Sequence, residues 1–217
     1  MKYDTDSNGD KILVSDKNDQ VMMAWEESYM KSLVDNLQPY GDVLEIGFGL
    51  GYSANRILEH NIKSYTVIEC DDGVLEEAHK WANNNRKVPI HIVKGKWQDV
   101  LHVTKDFDCF FFDDFPLEHE DEDDTRLYDF QYRILENHVR KNSRLTWYCQ
   151  GPHWHVVSPD INYESKKIKV NVPENCRYSK TGLVDFYMPI VTFREGKLKS
   201  ENKWVWTKNN EVKNLND

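Results

Sequence analysis

Val43-Leu-Glu-Ile-Gly-Phe-Gly-Leu-Gly51 places a short apolar run directly before glycines spaced two apart. With Asp42 in front of it, the run reads as a strand, and the glycines mark a turn rather than its continuation. Gly47 and Gly49 lack a Cβ, so the chain can turn sharply there and a ligand can approach the backbone. Residues 52–60 then read as a helix. Strand, glycine loop and helix in this order form the opening unit of an open α/β sheet, which binds ligands beyond the carboxyl ends of its strands.

The chain on either side repeats the alternation. Ser64-Tyr-Thr-Val-Ile-Glu69 is a second strand, rich in β-branched residues. Residues 73–81 read as a helix and 89–94 as a third strand. Phe107-Asp-Cys-Phe-Phe-Phe-Asp113 is a fourth, apolar enough to be buried on both faces. Residues 125–139 form a helix with Leu127, Phe130, Ile134 and Leu135 on one side, and 144–148 a fifth strand. Upstream, Met22, Trp25, Tyr29, Met30, Leu33 and Leu37 recur at helical spacing and predict an amphipathic helix over 21–37, ended before Pro39. The alternation predicts a parallel sheet with helices on both faces. After Gly151 the helices stop. Strands at 166–172, 187–193 and 203–206 predict an antiparallel end to the sheet. The acidic stretch Glu118-His-Glu-Asp-Glu-Asp-Asp124 reads as a solvated loop.

A length of 217 residues suits one domain over 1–217. The formal charge of −9 argues against a broad nucleic-acid footprint, which needs a basic face. No apolar run approaches the roughly 20 residues of a membrane helix, and the polar, acidic start lacks the pattern of a secretory signal. Cys70, Cys109, Cys149 and Cys176 lie far apart, as expected of reduced thiols in a cytoplasmic protein. His153-Trp-His155 has no third ligand nearby in sequence, so no metal is expected. There is no Gly-x-Ser-x-Gly elbow and no Walker loop. Oligomeric state leaves no signal.

The glycine loop alone fits several cofactors. Glu69 ends the second strand about twenty residues later, where an acid can hydrogen-bond ribose hydroxyls, and that geometry serves NAD and S-adenosylmethionine alike. Glu45, just before the glycines, favours S-adenosylmethionine: a carboxylate there would repel a dinucleotide pyrophosphate, whereas methyltransferases commonly carry one near the methionine portion of their cofactor.

Five segments in order carry a resemblance: Val21-Met-Met-Ala-Trp-Glu-Glu-Ser-Tyr-Met30, Val43 to Gly49, Ile68-Glu-Cys-Asp-Asp-Gly-Val74, Lys94-Gly-Lys-Trp-Gln-Asp-Val100 and Phe112-Asp-Asp-Phe-Pro116. Together they resemble guanidinoacetate N-methyltransferase and its relatives, which implies a Rossmann-like class I fold and S-adenosyl-L-methionine as methyl donor. The resemblance implies that Met22 and Met30 line the cofactor pocket along with Glu45 and the loop Gly47, Phe48, Gly49, Leu50 and Gly51. Glu69 would hold the ribose, and Cys70, Asp71, Trp97 and Gln98 would surround the adenine. Glu26 and Asp113 would grip a substrate guanidinium, whose fork of N–H donors carboxylates match. Asp113, which also borders the cofactor, would take the proton as the nitrogen attacks. Cys176-Arg-Tyr178 resembles a late family segment and makes Tyr178 a substrate contact.

The departures concern the substrate side. The family's aromatic lid has no clear counterpart; residues 1–20 are the candidate lid and Tyr3 the candidate aromatic. Lys141-Asn-Ser-Arg144 replaces a Lys-Pro-Gly-Gly turn, Gln98 stands where the family has Glu, and residues 151–165 are shorter than the family's segment and lack its helix. A small guanidino molecule, guanidinoacetate first, is the expected acceptor. A protein arginine side chain, another guanidino or amino metabolite, and a non-catalytic S-adenosylmethionine-binding module are the alternatives.

Overall fold

The computed structural model describes residues 1–116, 125–151, 155–157, 160–197, 205–208 and 211–214. From the N-terminus, β1 (Lys2–Thr5), β2 (Lys11–Val14) and β3 (Gln20–Met23) form a small antiparallel sheet, and a 3₁₀ turn, Ala24–Glu26, leads into α1 (Glu27–Leu37). Then follow β4 (Gly41–Ile46), α2 (Tyr52–Ile57), β5 (Ile62–Glu69), α3 (Asp72–Asn84), β6 (Ile90–Lys94), α4 (Trp97–Val100), β7 (Phe107–Phe112), α5 (Thr125–Asn137) and β8 (Val139–Trp147). The chain continues through β9 (His155–Val157), β10 (Ile161–Val172), β11 (Gly182–Phe193), β12 (Val205–Lys208) and β13 (Glu211–Asn214).

Seven strands lie in the order β10-β11-β8-β7-β4-β5-β6. From β8 to β6 neighbours are parallel, while β11 runs antiparallel to both β8 and β10. Successive side chains on a strand point to opposite faces. Val43 accordingly packs with Tyr29, Leu33, Ala54, Ile57, Val74 and Ala78 from α1, α2 and α3. Leu44 and Ile46 pack instead with Phe130 and Ile134 of α5 and Trp97 of α4. Helices thus cover both faces, and the antiparallel end is present, as the alternation predicts.

Two expectations need correction. The helix begins at Glu27, not at residue 21: residues 20–23 are the strand β3, with Leu13 opposite Met22 and Ile12 opposite Met23. The helical spacing of Trp25 onward is real, but its extension back to Met22 is a coincidence of apolar residues held by a non-local ladder. The last expected strand is β12, which pairs with β9 and β13 in a separate sheet rather than joining the main one. The acidic stretch 118–124 and His153 lie outside the described residues. Among those described, no helix is long and apolar enough to cross a membrane.

Candidate active site

A cavity of about 270 Å³ opens beyond the carboxyl ends of the central strands. Its floor is the turn after β4. Gly47 donates its N–H to Ile68 on one side, and Asp113 donates its N–H to Ile46 on the other, so the turn is tied to both neighbouring strands. Gly47 has φ +80°, and a Cβ there would lie 2.3 Å from the Asp113 carbonyl oxygen. No other residue fits without moving Asp113. At Gly49 (φ +54°) a Cβ would meet the Met22 sulfur, which accepts the Leu50 N–H at 3.3 Å. Met1, Leu13 and Gln20 to Met22 close the cavity, and the Tyr3 hydroxyl donates to the Gly49 carbonyl at 2.8 Å. The N-terminal sheet therefore covers the glycine turn.

One end is built around Glu69. Its carboxylate accepts the Phe48 N–H at 3.0 Å on one oxygen, and those of Cys70 and Asp71 at 2.7 and 2.9 Å on the other. A carboxylate has about four acceptor positions, so one remains. Cys70, Gly95, Lys96, Trp97 and Gln98 continue this wall. The Trp97 indole N–H donates to Asp114 at 2.6 Å, and the Arg126 guanidinium holds the same Asp114 oxygen. Gln98 Oε1 is buried without a hydrogen-bond partner. Burial pushes the Cys70 thiol up to about 11, so it stays protonated.

The other end holds Glu26, Asp113, Tyr148 and Tyr178. Glu26 closes the 3₁₀ turn: its Oε1 accepts the Met23 N–H at 2.8 Å and the Tyr178 hydroxyl. Tyr178 stacks on Trp25 with ring centroids 6.1 Å apart, which brings a turn distant in sequence to this wall. Tyr148 sits edge-on to Tyr29 and Phe186, and its hydroxyl accepts from Gln150 at 2.6 Å. The Asp113 side chain has no hydrogen-bond partner among the described residues. Burial pushes Glu26 up to about 8, with the Asp113 charge adding to the rise and the Tyr178 hydrogen bond opposing it. Burial also raises Asp113 to about 7, with a smaller push from Asp114. Like-charge repulsion is thus secondary to desolvation in holding these acids protonated.

Of the residues expected at the site, Met22, Glu26, Gly47, Gly49, Glu69, Cys70, Trp97, Gln98, Asp113 and Tyr178 line this one cavity. The others do not. Met30 is fully buried in the core on α1. Glu45 shares the parity of Val43 and points beneath α2, where the Ser53 and Tyr65 hydroxyls bind it and burial raises it to about 8. Phe48 packs edge-on to Trp81, and Leu50 and Gly51 lie in the turn behind the cavity wall. Asp71 caps α3 through the Gly73 and Val74 N–H groups. Tyr148, Asp114 and Arg126 are the additions. Tyr148 lies in an apolar run that reads as core, and Asp114 and Arg126 carry no spacing signal. Among the described residues no metal-binding group of three His, Cys, Asp or Glu side chains is present.

Residues 2–160 match the model of the family described as guanidinoacetate N-methyltransferase. The chain belongs to that family. Two proteins named protein arginine N-methyltransferase 2 are similar to this guanidinoacetate N-methyltransferase family member. The one from Candida glabrata is 36% identical over 133 residues, covering 56% of this chain and 31% of that protein. The one from Yarrowia lipolytica is 27% identical over 224 residues, covering 87% and 45%. The chain thus spans less than half the length of either relative. Among solved structures, the O-methyltransferase TomG from Streptomyces achromogenes, in complex with SAM, superposes with TM-score 0.52 at 14% identity, covering 80% of this chain and 81% of its own. TrmN from Thermus thermophilus gives 0.55 at 12%, covering 80% and 49%. At these identities the likeness is one of fold.

The cavity fits the cofactor on its own terms. Gln98 Oε1 is an orphaned buried acceptor of the kind an adenine amino group satisfies. Glu69 has one acceptor position left for a ribose hydroxyl. Gly47 and Gly49 line the cavity beside Asp113, where the methionine portion would lie.

Proposed function

We propose that this chain methylates a guanidino nitrogen of an arginine side chain in a polypeptide. The observation that carries the reading is the distribution of charge along the cavity. Its Glu26 end has two acids and, among the described lining residues, no lysine or arginine. The lining cationic groups belong to the Glu69 end: Arg126 is engaged with Asp114, Lys96 precedes Trp97, and the Met1 ammonium is paired with Asp71 at 2.7 Å. A guanidinium on an uncharged stem is matched by that arrangement. A guanidinoacetate carboxylate would enter beside two acids without a cation to meet it. The names of the two relatives support the same acceptor.

S-adenosylmethionine supplies an electrophilic methyl group on a sulfonium. The rest falls to this chain's residues. Glu26 and Asp113 bind the guanidinium as a fork. The bound cation favours their ionised forms, so both lose the protons they carry in the empty site. Asp113 then accepts the proton of the nitrogen that becomes methylated, since a fully protonated guanidinium has no free electron pair to donate. Tyr178 fixes the orientation of Glu26, and the N-terminal sheet excludes water, which strengthens these charge contacts.

Guanidinoacetate is the second reading, and the family description favours it. Methyl transfer from labelled cofactor to an arginine peptide, free arginine, agmatine and guanidinoacetate, with product masses, separates the two. The peptide should be methylated with at least about tenfold higher kcat/KM than guanidinoacetate, the effect of one favourable charge contact in a dry site. A preference for guanidinoacetate would assign the chain the other substrate. Binding of S-adenosylhomocysteine with no transfer to any of them would mark a non-catalytic module.

A further inference from the structure

Beside the Glu26 end lies a second hollow, about 510 Å³, along the turn after Tyr178 and the start of β11. It adjoins the active cavity at two points. Tyr178 of the cavity is followed directly by Ser179 of the hollow. Gln150, on the hollow's wall, donates to the hydroxyl of Tyr148, on the cavity's wall. The hollow is amphipathic. Leu183 is 67% exposed beside Val184 and Tyr187. Lys169 and Lys180 bring two ammonium groups against a single lining carboxylate, Asp185. That carboxylate already meets Lys169 at 2.6 Å and Lys167 at 3.4 Å. Lys180 is exposed and has no acidic partner among the described residues. A cationic hollow stands out on a chain whose formal charge is −9.

We infer that this hollow is the docking groove for the polypeptide flanking the target arginine, and that it selects an acidic residue close to that arginine. The inference rests on the arginine reading above. An arginine stem reaching Glu26 and Asp113 leaves its own backbone at the cavity mouth, where Tyr178 stands. An extended chain advances about 3.3 Å per residue, so the next two or three residues fall on the adjoining hollow. Leu183, Val184 and Tyr187 cover an apolar side chain there, and Lys180 meets a carboxylate. A small guanidino metabolite would be too short to touch either.

The test compares kcat/KM for two peptides alike except for the residues around a central arginine, aspartates in one and lysines in the other. The unaltered chain should prefer the acidic peptide by roughly two- to fivefold, the effect of one exposed ion pair. The preference should shrink at about 0.5 M salt. Lys180→Glu should reverse it, and Lys180→Gln should bring the ratio near one. S-adenosylhomocysteine binding to each variant checks that it is folded. Equal rates on the two peptides in the unaltered chain, or a preference that survives Lys180→Glu, would overturn the groove while leaving the arginine reading intact. Transfer to guanidinoacetate with none to either peptide would overturn both.

Discussion

The two ends of the cavity treat carboxylates in opposite ways. Glu69 is wrapped in three backbone N–H groups from the glycine turn and from the two residues before α3, so its place is set by main chain alone. Among the described residues Asp113 has no side-chain hydrogen bond, Glu26 relies on one backbone donor and a tyrosine from a remote turn, and burial holds both acids well above the usual carboxylate range. The first end is preorganised by its own backbone. The second, on the arginine reading, is completed by a cation. Its acids are desolvated in the empty state and recover that cost when a guanidinium arrives.

Asp113→Asn should have the largest effect, because it removes a guanidinium contact and the proton acceptor together. Truncating one partner of a buried charge pair costs about 2–5 kcal/mol, so kcat/KM should fall at least about thirtyfold while S-adenosylhomocysteine affinity stays within a few-fold. Near-normal turnover would break the contrast between the ends. Glu26→Gln should fall mainly on KM, by about ten- to a hundredfold, since Glu26 grips the substrate but does not take the proton. An effect confined to kcat would reverse the two roles.

Glu45 sharpens the contrast from a third position, buried and outside the cavity. Its folded pKa is raised, to about 8 from an ordinary 4.5. Between those values the native state holds a proton that the unfolded chain has lost, so stability falls as pH rises and levels off above pH 8. From pH 6 to 8 the loss from Glu45 should be on the order of 2 kcal/mol. Glu45→Gln should flatten the fall by that amount in denaturant titrations, and an unchanged slope would remove Glu45 from the account. Gln98→Leu should do least: loss of one hydrogen bond to the adenine should weaken S-adenosylhomocysteine by about 1 kcal/mol, or five- to sixfold, with no change in acceptor KM.

The same contrast explains what could be read without coordinates. The Glu69 end is local: a strand, a glycine turn and an acid at fixed spacing specify it, and the alternation of apolar runs specifies the sheet around it. Met30 and Glu45 sit close to that signal in sequence, yet helix face and strand parity turn them into the core, a distinction that spacing on one element does not make. The Glu26 end is non-local. Tyr178 reaches it through stacking on Trp25, Tyr148 through a strand that looks like plain core, and the covering sheet β1 to β3 through pairings between strands of only four residues each. Only the resemblance to a known family joined Glu26, Asp113 and Tyr178 in advance.

Calorimetric titration of an arginine peptide into the complex with S-adenosylhomocysteine, at pH 7 in buffers of different ionisation enthalpy, tests the acid end most directly. With Glu26 near 8 and Asp113 near 7 in the empty site, the pair holds between one and two protons at that pH, and the guanidinium should expel most of them. Release of about one proton or more per peptide, reduced in Glu26→Gln, is the result expected. Binding with no proton release, or with uptake, would show that these two acids do not receive the guanidinium.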